Sequence, residues 1–187
     1  MKNIFLKICL VILFSPLCRA AGDAKAMYDA RKLDDLGKAA QSGDVEAMFY
    51  FGSCYADGIG VAKDEAEALR WYQKAAEAGG RKGMTILAFI YGSGIGAPKN
   101  DVESTKWFRK LAESGCIKSM HELGRKYVEG TVVPTDLVQA YKWFNLAAIR
   151  GNEASVKVRD KLDKVMTSEQ IMEARKLSRV WKPVPAR

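Results

Sequence analysis

Nucleophilic catalysis needs a serine, threonine or cysteine placed beside a base, and the residues that could supply such a pair here are badly spaced. Ser104 and Ser155 each have a lysine two residues on, Lys106 and Lys157, not the one helical turn that an S-x-x-K site uses to bring its amine onto the hydroxyl. The single histidine, His121, is followed by Glu122 but lacks the second histidine of a zinc-binding H-E-x-x-H. The run from Gly92 to Gly96 resembles a phosphate loop in composition. Its spacing is neither G-x-G-x-x-G nor a P-loop, and no strand precedes it. Carboxylates are plentiful but have no base or nucleophile organised around them. No catalytic residue, cofactor or metal site is therefore expected, and the chemistry to look for is recognition.

The first 20 residues stand apart. Lys2 and Lys7 are basic, no acid occurs, Ile8 to Phe14 is an unbroken apolar run, and Ser15-Pro16 leads to small residues at Ala20 and Ala21. This is the layout of a secretory signal peptide, with an apolar run shorter than the roughly 20 residues of a membrane span. Cleavage is expected after Ala20, with Ala24 as the alternative. A lipoprotein acylated at Cys18 and an uncleaved anchor are weaker readings. Bacterial export to the periplasm or the exterior is expected, with no stable membrane insertion after cleavage.

The whole chain carries a net charge of +8. Removal of the leader leaves +5, and that excess lies entirely beyond residue 156, notably at Lys161, Lys164, Arg175, Lys176, Arg179 and Lys182. A nucleic-acid binder concentrates lysine and arginine along one stripe, so that class is set aside. The basic tail is expected to be a solvated capping face, with weak contact to an anionic surface as the alternative.

Internal repetition organises the rest. Trp71, Trp107 and Trp143 recur at a step of 36, each followed by an aromatic residue: Tyr72, Phe108 and Phe144. The same step carries Phe51 to Leu87 and Leu123, Tyr55 to Tyr91 and Tyr127, Gly58 to Gly94 and Gly130, Asp64 to Asn100 and Asp136, and Gly79 to Gly115 and Gly151. Each unit reads as two helices, the first over about 46–56 in unit one. The second opens on a capping-box pattern, Asp64 with Glu67, Asn100 with Glu103 and Asp136 with Gln139, and ends at the glycine. Such a pair cannot bury its apolar face alone, so units must stack and be capped. The expected organisation is signal peptide 1–20, N-terminal cap 21–45, repeats 46–81, 82–117 and 118–153, and a C-terminal helical cap and tail 154–187. In that tail Thr167 with Gln170 opens a last helix, which Pro183 and Pro185 stop.

The pattern Ala-x3-Phe-Gly-x2-Tyr-x2-Gly-x-Gly-Val followed by Asp-x3-Ala-x2-Trp-Tyr-x2-Ala-Ala-x2-Gly at 47–79 is similar to the Sel1-like repeat family, and the tail resembles that of exported bacterial members. Local departures are Gly83, Ala88 and Ala97 in unit two and Val132 in unit three. The resemblance implies an all-α fold, an α/α solenoid forming a right-handed superhelix of stacked, tetratricopeptide-like helix pairs. It also implies a non-catalytic scaffold for a protein or peptide partner. Some secreted proteins resembling this family have been linked to β-lactam binding. That leaves a cell-wall-related enzyme or β-lactam-binding protein as the alternative, although the S-x-x-K spacing and the paired cysteines of those proteins are missing here.

Consensus columns build the core, so specificity belongs to positions that vary between units. In tetratricopeptide-like arrays the first helices line a concave groove. The corresponding positions are Phe49, Tyr50 and Ser53 in unit one, Thr85, Ile86 and Phe89 in unit two, and His121, Glu122 and Arg125 in unit three. The groove is expected to be aromatic at one end and charged at the other, fitting a peptide or helix with an apolar anchor and an acidic or polar portion. Burial of Phe49 and Tyr50 under the front cap is the competing expectation. Cys54 and Cys116 sit two helix-packing steps apart, roughly 15–20 Å. That is beyond the ~7 Å of a disulfide, so two unpaired thiols are expected.

Overall fold

The computed structural model describes residues 24–29 and 32–184, and among these every regular element is helical. The leader, the Ala20 cleavage point, Cys18 and Pro185 lie outside the described residues. After helical residues 24–29 come α1 (Leu33–Gln41), α2 (Val45–Asp57), α3 (Glu65–Glu77), α4 (Arg81–Ser93), α5 (Asp101–Glu113), α6 (Ile117–Glu129), α7 (Leu137–Ala148), α8 (Glu153–Leu162) and α9 (Ser168–Val180). The chain forms two compact units, one running to Gly83 and the other starting at Met84, so the division falls within α4.

In the first unit α2 packs on α1 and α3. Leu36, Ala40, Ala47, Phe51, Cys54 and Trp71 fill the space between them. The Trp71 indole stands edge-on to Phe51 with centroids 5.0 Å apart. A Cβ on Gly52 would lie 3.1 Å from the Ala68 carbonyl oxygen, the Trp71 Cβ and the Tyr72 ring, so the two helices touch nearly backbone to backbone. Gly83, where unit one has Ala47, answers the same need: a Cβ there would come within 2.7 Å of the Ala76 amide nitrogen.

In the second unit α5 packs on α6, α6 on α7, and α7 on both α8 and α9. Met120, Leu123, Tyr141, Trp143, Phe144, Leu146, Leu162, Met166 and Ala174 form its core. Phe144 lies across Gly124, its ring atoms 3.1 Å from where a Cβ would stand. The middle repeat solves the same contact differently. Ala88 replaces the glycine, Ser104 replaces the usual alanine of the second helix, and the buried Ser104 hydroxyl donates to the Ala88 carbonyl at 2.8 Å. Gly92 makes room for that hydroxyl, since a Cβ would stand 2.9 Å from Ser104 Oγ.

The turns follow one plan. Gly43, Gly79, Gly115 and Gly151 all take φ between 90° and 98°. The amide one residue later bonds back to the carbonyl of Ala39, Ala75, Leu111 or Ala147, the closing bond of a Schellman motif. That later residue is also the N-cap of the next first helix. Asp44 and Asn152 accept from the amides of Ala47 and Ser155 at 2.8 Å, whereas Cys116 has the N-cap backbone but makes no side-chain cap bond. Second helices are capped as expected, with Asp64, Asn100 and Asp136 accepting from the amides three residues on. The capping boxes of the repeats need a correction. The N-cap amides of Asp64, Asn100 and Asp136 already bond the carbonyls of Tyr55, Tyr91 and Tyr127. Glu67 and Glu103 are accordingly turned to Arg70 and Lys106 instead. The complete box occurs at Thr167 and Gln170.

The indole Nε1 groups of Trp71, Trp107 and Trp143 are buried without a hydrogen-bond partner. Lysine ammonium groups lie over the same rings, Lys74 at 3.8 Å, Lys110 at 4.7 Å and Lys142 at 4.4 Å from the centroids. The polar-free core side and the cation on the π face explain why tryptophan is used for area and for its ring, not for its N–H. After α9 the chain turns back. Trp181 stands edge-on to Trp143 at 6.2 Å, and the Val184 amide donates to the Glu113 carbonyl at 2.8 Å.

Both Cys54 and Cys116 are free thiols, the first buried and the second half-buried. Burial, with Asp57 nearby, raises the Cys54 pKa. A maleimide at neutral pH should therefore modify Cys116 in the native protein and reach Cys54 only on unfolding, as read by mass spectrometry. Cys116→Asn should supply the missing cap and raise the unfolding free energy by about 0.5–2 kcal/mol in denaturant titration. Trp107, 4% exposed, should cost about 3–5 kcal/mol when cut to alanine. Trp107→Phe should cost clearly less, because the N–H it deletes has no partner to lose.

Candidate functional site

Ser104, Ser155 and His121 are all engaged in hydrogen bonds between helices. The Ser155 side chain is fully buried, and its hydroxyl meets His121 Nδ1 at 2.8 Å. This serine–histidine contact was not apparent in the sequence, because the two residues lie 34 positions apart. It is no catalytic dyad: Ser155 has no path to a substrate, and no acid among the described residues orients the other ring nitrogen. With the His121 ring edge-on to Phe144 at 5.3 Å, the pair instead docks α8 against α6 and α7. Among the described residues no group of three or more metal-ligating side chains is brought together.

In the first unit the sequence-derived positions lie in a closed aromatic cluster. Tyr50 is 8% exposed, with Tyr28 at 5.4 Å on one side and Phe49 edge-on at 5.2 Å on the other. Its hydroxyl accepts from Lys82 at 2.8 Å, and Lys82 also pairs with Glu46. Tyr28 in turn donates to Asp57 at 2.7 Å, and burial together with this bond pushes its phenol up to about 12. Phe49 is half-buried and leans on Tyr72 at 5.6 Å. Ser53 donates to the Phe49 carbonyl at 3.1 Å and accepts from the Tyr72 hydroxyl at 3.3 Å. The front segment thus covers Tyr50, the competing expectation for that residue, while Phe49 is half-buried against Tyr50 and Tyr72. Glu46 and Lys82 are the same column of consecutive repeats with opposite charge, a signal that was readable. Tyr28 had none, because it precedes the repeat register.

In the second unit the surface is more open. On α4, Thr85 is exposed, Ile86 half-buried and Phe89 56% exposed. On α6, Glu122 and Arg125 belong to an ion triad: Arg125 Nη2 lies 3.0 Å from Glu122 Oε2, and Nη1 pairs with Glu129. With Lys118 and Lys126 on the same helix, α6 carries three basic side chains against the carboxylates of Glu122 and Glu129. Arg125 is shared between two acids of its own helix, at the surface where such pairs are worth little.

Comparison with known proteins places these features in a family. The model of the Sel1 repeat matches residues 45–80, 82–116 and 117–152, so its units begin where the Schellman turns end. The fold is similar to a crystal structure of a Sel1 repeat protein from Oxalobacter formigenes, at 36% identity, a TM-score of 0.63, and coverage of 70% of this chain and 98% of that one. It is also similar to a protective antigen of uropathogenic Escherichia coli displaying the same kind of repeat fold, at 26% identity and a TM-score of 0.52. In that case 80% of this chain spans 40% of the other. The comparison with curated proteins finds no match. With three consecutive repeats covering more than half of its length, and the tryptophan, tyrosine and glycine columns in the roles described, the chain belongs to the Sel1 repeat family.

Proposed function

We infer that this protein is an exported, non-catalytic scaffold that holds a protein or peptide partner on exposed positions of α4 and α6. Sel1 repeats generally mediate protein–protein contacts. The observation that carries the reading is Phe89. Its ring is 56% exposed, its column holds Ser53 in the preceding repeat and Arg125 in the next, and so neither the core nor the repeat requires an aromatic there. An exposed aromatic beside the half-buried Ile86 is the type of anchor that dominates binding energy at interfaces. The charged side chains of α6, Lys118, Arg125 and Lys126 against Glu122 and Glu129, suit a partner whose flanking portion is polar or acidic. An extended segment or an amphipathic helix with one apolar anchor fits this description.

Export rests on the leader-like residues 1–20. Among the described residues no helix is long and apolar enough to cross a membrane. Ala24 is 1% exposed within the first unit's core, which favours the cut after Ala20 over the cut after Ala24.

Affinity capture of the leaderless protein's partner from an envelope extract, compared with variants, tests the proposal. Phe89→Ala should weaken capture by about 2 kcal/mol or more while helicity and melting stay nearly intact. Arg125→Ala removes one positive charge from α6 and should make the residual binding less salt-sensitive. If Phe89→Ala unfolds the protein while binding per folded molecule is unchanged, Phe89 is core and the assigned face is wrong.

A further inference from the structure

The C-terminal cap holds a polar cavity of about 330 Å³ lined by Tyr141 and Asn145 of α7, Arg159 of α8, Asp163 just beyond it, and Arg175 and Arg179 of α9. Its floor is rigid. The fully buried Tyr141 donates its hydroxyl proton to Asp163 Oδ1 at 3.0 Å and accepts from Arg175 Nε at 3.2 Å. Arg175 Nη2 lies a further 3.7 Å from the same carboxylate, so Asp163 is committed to Tyr141 and Arg175. Arg159, whose side chain is only 24% exposed, reaches Asn145 Oδ1 at 3.5 Å with one amino group. Its other side contacts Asp160, which stands outside the lining and is mostly in solvent. Arg179 makes no hydrogen bond or ion pair among the described residues.

Three guanidinium groups therefore face one space, with Arg175 paired to Asp163, Arg159 paired to Asp160 outside the lining, and Arg179 left without a carboxylate among the described residues. Like charges gathered in this way repel unless an anion joins them, and guanidinium groups match carboxylate and phosphate oxygens with paired N–H donors. A tetrahedral phosphate is the better match. It presents three oxygens to arginines arriving from two helices and carries about −1.5 to −2 charges, whereas a carboxylate offers two oxygens and one charge. The volume lies at the lower end of small-ligand sites, about 300–1,000 Å³, and so leaves room for the first atoms of an ester beyond the phosphate itself.

The geometry points to a binding site for a phosphate group, free or at the end of a small ester or lipid headgroup, gripped by Arg159 and Arg179 over a wall fixed by Tyr141, Asp163 and Arg175. It lies apart from Phe89 and does not depend on the scaffold reading. It also gives the basic tail a role more specific than a solvated surface: part of its charge is organised around a cavity.

The test uses the leaderless protein and calorimetric titration with inorganic phosphate, pyrophosphate and glycerol phosphate. A parallel arm measures co-sedimentation with phosphatidylcholine vesicles, with and without phosphatidic acid. At least one probe should bind, and Arg179→Gln and Arg159→Gln should each weaken that binding about tenfold or more. Thermal melting of both variants should stay near that of the parent, and Phe89→Ala should leave phosphate binding unchanged. Binding confined to phosphatidic acid vesicles and lost in both variants identifies the lipid headgroup as the source, and binding of the soluble probes identifies the free or esterified phosphate. Absence of binding in both arms overturns the proposal. So does binding indifferent to both substitutions, or acetate competing as well as phosphate.

Discussion

The close approach of each first helix to its second, at one small residue, is the contact on which the other features of the repeat depend. A methyl group at Gly52 would press within 3.1 Å of the Ala68 carbonyl, the Trp71 Cβ and the Tyr72 ring, and at Gly124 within 3.1 Å of the Phe144 ring. Such proximity lets a short pair of helices bury large rings between them, and ring area is what a small all-helical repeat has to bury. The middle pair shows that the requirement is distance and not glycine as such. Ala88 is tolerated because Ser104 turns the contact into a hydrogen bond, and Gly92 gives way on the same helix.

Once the helices are that close, the connections have little freedom. The carbonyls of Tyr55, Tyr91 and Tyr127 accept from the N-cap amides of the second helices, closing each loop from the inside. At the other end the residue that closes a Schellman turn also starts the next helix, so no linker residue separates one repeat from another. Cys116 illustrates the tension in this arrangement. It holds an N-cap backbone without an N-cap side chain, and its sulfur accepts from the Ser119 hydroxyl at 3.2 Å instead.

A core built from recurring columns frees the remaining positions to differ, and the two units use that freedom differently. In the first, Tyr28, Phe49, Tyr50 and Tyr72 close over one another, so aromatic residues that look available in the sequence are mostly spent on packing. In the second, Phe89 stays exposed and the charges of α6 neutralise one another in part. The C-terminal cap, by contrast, collects arginines that are not all neutralised, a condition that a terminal element kept merely for solubility does not require.

The helices, their boundaries, the glycine turns and the capping side chains were legible in the sequence because each rests on local physics. A positive φ, a side-chain oxygen within reach of an amide three residues on, and a ring every 36 residues all leave their mark within one period. The missing reciprocal limb of the capping boxes was not legible, because the tyrosine carbonyls that replace it belong to the preceding helix. Nor was the fate of the candidate site residues. Tyr50 is covered by Tyr28, His121 is taken by Ser155, and Arg125 is shared between two acids on its own helix. The arginines of the C-terminal cavity follow no repeat at all. Residues 159, 175 and 179 share a space only because α8 and α9 both pack on α7, and that convergence is decided by which faces bury apolar area, not by any spacing along the chain.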